Sequence, residues 1–125
     1  MSYRIIIVED EADYAKMIRM RLVAEGYDVT IAGDAYSGTQ QIMKHDFDLV
    51  ILDLNMPAGG GFTLLERIRM VPAKASLPVI ILTGTHVNSE IVEQAKKLGV
   101  SAIFSKPYEA NRFLSAIKKL LTRQT

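Results

Sequence analysis

The sequence predicts an α/β fold: a five-stranded parallel sheet covered by helices on both faces. Two observations carry this. Short, uninterrupted apolar runs, of the kind buried on both faces of a sheet, recur five times. Between them lie longer stretches whose apolar residues fall at three- and four-residue steps, the spacing of a helix stripe. Regular alternation of the two textures is the signature of parallel strands joined by crossover helices.

Taken in order, Ile5-Ile6-Ile7-Val8 is the first strand. From Glu11 to Glu25 the stripe Tyr14, Met17, Ile18 and Leu22 predicts a helix, and Gly26 ends it where a left-handed cap is wanted. Asp28 to Ile31 is a weaker strand, followed by a helix over Ala35 to Lys44. Asp48 to Asp53 carries the central strand, Leu49-Val50-Ile51-Leu52. A helix is read from Phe62 to Met70 through Phe62, Leu65 and Ile68/Arg69, then a surface loop from Val71 to Leu77. Pro78 opens the strand Val79-Ile80-Ile81-Leu82. Ile91, Val92, Ala95 and Leu98 form the next stripe, closed by Gly99. Ala102 to Ser105 is the last strand, and Phe113, Leu114, Ile117, Leu120 and Leu121 mark the last helix.

Composition narrows the functional classes. A chain of 125 residues with 49% hydrophobic content is one domain's worth of globular protein. Its 15 basic and 14 acidic residues leave a formal charge of +1, so no strong field points to nucleic acid or an anionic membrane. Cysteine is absent, which removes thiol catalysis, disulfides and thiolate metal sites. No apolar run approaches a membrane span, and the acidic turn at Glu9 argues against a signal peptide. The expectation is a cytoplasmic protein.

In open parallel sheets, function gathers at the carboxyl ends of the strands. The polar residues standing where the apolar runs stop are Glu9 and Asp10, Asp53, Thr83, and Lys106. Three acids, a hydroxyl and an ammonium therefore converge on one rim. Clustered carboxylates resist joint ionisation unless a cation joins them, and so few oxygens suit Mg²⁺, which retains water and favours phosphate. An aspartate beside Mg²⁺ can act as a nucleophile toward phosphorus, with ammonium and hydroxyl stabilising the charge.

Four motifs in order carry a family resemblance: Ile-Ile-Val-Glu9-Asp10-Glu11, Val-Ile-Leu-Asp53-Leu-Asn55-Met56-Pro57, Ile-Leu-Thr83-Gly84 and Ser105-Lys106-Pro107. Together they resemble the receiver domains of response regulators in bacterial two-component signal transduction, the chemotaxis receivers among them, over essentially the whole chain. The resemblance implies a flavodoxin-like, three-layer fold with strand order 2-1-3-4-5, and one receiver domain over residues 1–125 with no output domain in this chain. It implies that Asp53 is the phospho-acceptor, served by a sensor histidine kinase or a histidine phosphotransfer protein in a phosphorelay. Asp10 is the implied direct Mg²⁺ ligand, Glu9 acts through water, Asp53 contributes an oxygen and Asn55 a backbone carbonyl. Thr83 resembles the hydroxyl that moves onto the phosphoryl group and Lys106 the ammonium that pairs with it. The Lys106–Pro107 bond is implied to be cis. The resemblance makes the domain a switch that assists its own phosphorylation and dephosphorylation, not a turnover enzyme. It reports to a downstream protein or a missing output domain through the face of helix 4, strand 5 and helix 5, and it admits a phosphorylation-dependent homodimer.

The chain departs from the family pattern twice. Ile103 stands where the family places its switch aromatic, and strand alternation sends the neighbouring Phe104 to the opposite face. The loop Ala58-Gly59-Gly60-Gly61 is richer in glycine than is usual, which predicts a more mobile segment.

Other functional classes fit these residues less well. An aspartyl-phosphate phosphatase would favour an acid where Asn55 stands. A phosphorylation-independent binding module would not need the acid pair, Thr83 and Lys106. A flavin site lacks its hydroxyl- and glycine-rich cradle, and there is no Gly-Lys-Ser/Thr P-loop. Glu11 and Asp13 read as the acidic first turn of a helix. Met17, Met20, Met43 and Met70 read as filler, His45 and His86 as structural or surface residues, and Lys118, Lys119 and Arg123 as a solvated face.

Overall fold

Every apolar run becomes a strand, and every stripe a helix. The computed structural model describes residues 2–56 and 60–122. The elements are β1 (Arg4–Val8), α1 (Ala12–Ala24), β2 (Asp28–Ala32), α2 (Ala35–Lys44), β3 (Leu49–Leu52), α3 (Gly60–Arg69), β4 (Val79–Thr83), α4 (Ser89–Lys97), β5 (Ala102–Ser105) and α5 (Ala110–Thr122). The strands pair in the order β2-β1-β3-β4-β5, all in parallel. The order reverses between β1 and β3, so the ends of these two strands flank the switch point of the sheet.

Strand alternation divides the core into two layers. Ile5 and Ile7, Leu49 and Ile51, and Ile80 and Leu82 face Ala15, Ile18 and Leu22 of α1 and Phe113, Ile117 and Leu121 of α5. Ile6, Val8, Val50, Leu52 and Val79 face Ile42 of α2 and Leu64, Leu65 and Ile68 of α3. Central strands buried on both faces explain why β1, β3 and β4 read as continuous apolar runs.

The helix ends follow local chemistry. Gly26 (φ 92°) and Gly99 (φ 70°) take the left-handed conformation that closes α1 and α4. The Asp34 carboxylate accepts from the Ser37 N–H at 2.7 Å to start α2, and Asn88 Oδ1 accepts from the Ile91 N–H at 2.9 Å to start α4. At α5 the Glu109 carboxylate accepts from the N–H groups of Asn111 and Arg112. Those bonds hold its pKa below the ordinary range.

Several local expectations need correction. Met17 is not in the core stripe: it is 40% exposed, because the buried face of α1 centres on Ala15, Ile18 and Leu22. Of the α4 stripe only Ala95 is buried, so this helix is the least embedded of the five. The loop from Val71 to Leu77 contains a single 3-10 turn, Pro72–Lys74. Gly60 and Gly61 belong to the buried first turn of α3, not to an open loop. Pro57, Ala58 and Gly59 lie outside the described residues, as does Arg123.

Candidate functional site: a carboxylate rim clasping Lys106

The parallel ladder continues one step past the strand ends and thereby places the site. The Glu9 N–H donates to Ala32 O at 3.0 Å, the Asp53 N–H to Val8 O at 3.1 Å, and the Lys106 N–H to Thr83 O at 2.9 Å. Backbone pairing thus brings β1, β3, β4 and β5 termini to one edge. Glu9 and Asp53 are each 3% exposed and Thr83 is fully buried, whereas Asp10 faces solvent.

Lys106 is the hub. Its Nζ donates to Glu9 Oε1 at 2.6 Å, to Asp53 Oδ2 at 3.3 Å and to Glu11 Oε1 at 3.3 Å. The second oxygen of Glu9 accepts from the Glu11 N–H at 3.1 Å, and Asp53 Oδ1 accepts from the Asn55 N–H at 3.0 Å. Thr83 Oγ1 accepts from the Thr85 N–H at 3.2 Å, which leaves the hydroxyl proton free to be donated elsewhere. The Lys106–Pro107 peptide is cis.

Electrostatics follow from burial. Loss of solvent raises the Glu9 pKa to about 7, against the pull of Lys106 and with a further push from Asp53. Burial works against the Lys106 charge, but the bond to Glu9 and the fields of Asp53 and Glu9 outweigh it and hold the ammonium protonated.

Oxygens of Glu9, Asp10 and Asp53 all lie within 4.8 Å of one another. Three carboxylates at that spacing fit a small hard cation, which would offset the burial that chiefly raises Glu9 and the lesser push from Asp53. The same set, with an ammonium touching Asp53 and a buried hydroxyl one strand away, can stabilise negative charge on a phosphoryl group. A groove of about 350 Å³ beside α2 and α3, bordered by Asp34, Tyr36, Gly60 and Arg67, is lined by none of these residues.

The strand-end reading therefore assembles Glu9, Asp10, Asp53 and Lys106 in direct proximity and places Thr83 and Asn55 beside them. It missed Glu11 and Tyr14. Glu11 stands at the N-cap of α1 without a side-chain cap bond; its carboxylate turns to Lys106 instead. Tyr14 lies with its ring centre 4.3 Å from the Lys106 ammonium. The only hint of either in the sequence is their position within one helical turn of the acid pair. His45 and His86 are exposed, as expected.

Phe104 packs edge-to-face on Phe113, with centroids 5.5 Å apart, and so belongs to the α1/α5 layer. Ile103 pairs with Ile81 in the sheet and projects oppositely.

Comparison with known proteins gives the same picture from a different direction. The family model described as the response regulator receiver domain matches residues 5–118. A probable transcriptional regulator, ycf29, of Porphyra purpurea is 33% identical over 125 residues, covering 100% of this chain and 59% of its own. The transcriptional regulatory protein DltR of Streptococcus agalactiae is 35% identical over 122 residues, covering 98% and 53%. This chain thus spans little more than half the length of those relatives. Among solved structures, a CheY-like response regulator receiver domain protein from Methanospirillum hungatei superposes with a TM-score of 0.91 at 29% identity, covering 99% of this chain and 97% of that one. The chemotaxis protein CheY4 of Vibrio cholerae gives 0.89 at 26% identity, covering 97% and 100%.

Proposed function

The chain belongs to the response regulator receiver domains, a family whose general function is to accept a phosphoryl group on an aspartate, and we propose that Asp53 is the acceptor here. The single observation that carries this is the contact of the Lys106 ammonium with Asp53 Oδ2 at 3.3 Å, on a rim shared with Glu9 and Asp10. The donor is a phosphohistidine on a sensor kinase or a phosphotransfer protein. An Asp53 carboxylate oxygen attacks phosphorus; the O–P bond forms as the P–N bond breaks, and the bonding electrons stay with the imidazole nitrogen.

Asp10, Asp53, Glu9 and the Asn55 carbonyl are the groups that would hold Mg²⁺, which would supply neutralisation of the phosphoryl charge. The chain's own residues do the rest. The ammonium of Lys106 pairs with a phosphoryl oxygen, and Thr83 donates its hydroxyl proton to another. The domain assists its own phosphorylation and hydrolysis as a switch rather than turning over a free substrate. No helix among the described residues is long and apolar enough to cross a membrane, and the cytoplasm is the proposed site of action.

Readout to a downstream protein or output domain uses the face of α4, β5 and α5. Support for its mobility is the shallow seating of α4, with Ala95 alone buried. Its C-terminal end is tied down, since Arg69 donates to Leu98 O at 2.7 Å and to Gly99 O at 3.3 Å. A shift of Thr83 and its loop would therefore move the N-terminal end of α4 about an anchored C-terminus.

The test is Asp53→Asn. Wild-type protein should gain a labile phosphate from a small-molecule donor with Mg²⁺, and the variant should gain none. Labile phosphate on Asp53→Asn at the wild-type rate would overturn the assignment.

A further inference from the structure

Carboxylates are not the only groups that hold Lys106. The Tyr14 ring beneath its ammonium, at 4.3 Å, is within range for a cation–π contact. Tyr14 comes from the first turn of α1 and meets Tyr108 edge-on at 6.3 Å and 75°. Tyr108 lies 4.8 Å from Phe113 of α5, and Phe113 meets Phe104 of β5 at 5.5 Å and 85°. A continuous series of rings therefore runs from the site ammonium through α1 and the β5–α5 connection to α5 and back to the sheet.

Two members of the series are incompletely satisfied. The hydroxyls of Tyr14 and Tyr108 are buried without a hydrogen-bond partner. A buried unpaired hydroxyl destabilises the arrangement that contains it, and such exceptions in a folded protein call for an explanation. Burial first, then the neighbouring Tyr108, raises the Tyr14 pKa, while Lys106 pulls the other way. The series is thus held by its packing and by the cation on its end, not by satisfied hydrogen bonds.

We propose that Tyr14 positions Lys106, and that the series Tyr14–Tyr108–Phe113–Phe104 carries the state of Asp53 to the α1/α5 side of the sheet, in a chain where Ile103 provides no ring. The inference rests on Asp53 being the phospho-acceptor. The ammonium now shares its three protons among Glu9, Asp53 and Glu11. Acyl-phosphate formation replaces the single negative charge of the Asp53 carboxylate with the nearly two of a phosphoryl group, a net gain of about one, and draws the ammonium from the ring face. The Lys106–Tyr14 contact then differs between the two states, and a differential contact is what shifts a conformational equilibrium. With the cation withdrawn, the two orphan hydroxyls repack toward partners.

The experiment follows ring signals of ¹³C-labelled tyrosine and phenylalanine together with the Thr83 amide, as the intact chain is titrated with Mg²⁺ and beryllium fluoride, a mimic of the acyl phosphate. The expected result is that Thr83, Tyr14 and Tyr108 shift along one titration curve. In Tyr14→Leu the Thr83 shift persists while the Tyr108 and Phe113 responses fall by a factor of about three or more. Tyr14→Phe, which keeps the ring, retains them. Phosphorylation from a small-molecule donor slows roughly 3- to 10-fold in Tyr14→Leu and recovers in Tyr14→Phe. If Thr83 shifts in the wild type while both tyrosine rings stay fixed, or Tyr14→Leu leaves the Tyr108 response intact, the relay is wrong. If Thr83 and the rings are all silent, the assignment of Asp53 fails and the relay falls with it. Should Tyr14→Leu not fold, the wild-type rings and Tyr14→Phe decide.

Discussion

Gly61 offers a sharp test of how the fold places the proposed acceptor. A Cβ at this position would stand 2.8 Å from the carbonyl oxygen of Asp53, 2.8 Å from Leu54 Cα and 3.0 Å from Leu54 Cδ2. Non-bonded heavy atoms settle near 3.5 Å, so Gly61→Ala forces α3 and the end of β3 apart by about 0.7 Å. Two of the three obstructing atoms are backbone and cannot rotate away. Overpacking of this kind costs roughly 1–3 kcal/mol, a fall in Tm of about 4–12 °C for a domain of this size. The displacement falls on Asp53, the proposed acceptor, and misplacements near 1 Å cost up to about 100-fold in rate. Phosphorylation of Gly61→Ala by a small-molecule donor should therefore be at least about 10-fold slower. Gly33→Ala is the control, because a Cβ there meets nothing within 4 Å. Equal rates and equal melting for Gly61→Ala and wild type would refute the reasoning.

Three further outcomes follow from the site. The Glu9 carboxyl, raised from 4.5 to about 7, binds a proton more readily in the folded chain than in the unfolded one. Stability of the metal-free protein should therefore fall as pH rises from 4.5 through 7, by up to roughly 3 kcal/mol, and Glu9→Gln should flatten that slope in thermal melts. Lys106→Met leaves Glu9 and Asp53 buried without their cation. Its loss of stability should reach about 3 kcal/mol above pH 7 and shrink toward pH 5, as melts at the two pH values would show. Arg69→Met removes donors to Leu98 O, Lys74 O and Gly99 O; it should cost about 2 kcal/mol and raise amide exchange first at the C-terminal end of α4.

Most of the fold was legible because a strand buried on both faces has no choice but to be apolar throughout. Ile5–Val8, Leu49–Leu52 and Val79–Leu82 announce themselves on that ground. The start of α3 was misplaced by two residues, because Gly60 and Gly61 carry poor helix propensity. Only the close approach to Met56, Asp53 and Leu54 explains why glycine stands there. Met17 was misassigned because a stripe read from spacing alone has no way to fix which neighbouring 100° step turns outward.

The site was legible where backbone pairing alone decides it. Glu9, Asp53 and Lys106 each sit one residue past a strand, held by the last ladder bonds. Glu11 and Tyr14 were not legible. Their roles depend on the path of the Lys106 side chain across β1 onto the first turn of α1, a tertiary contact with no local signature. Ile103 leaves the switch position without a ring in the sequence itself, but the rings on the other face came into view only with the packing of Phe104 on Phe113.

The central claim is tested most directly by locating the phosphate itself. Protein phosphorylated with Mg²⁺ and a small-molecule donor, then reduced with borohydride, converts an aspartyl phosphate to homoserine at the modified position. The account predicts homoserine at residue 53 and aspartate unchanged at residue 10. Homoserine elsewhere with none at 53, or none anywhere in protein that has taken up phosphate, would contradict it.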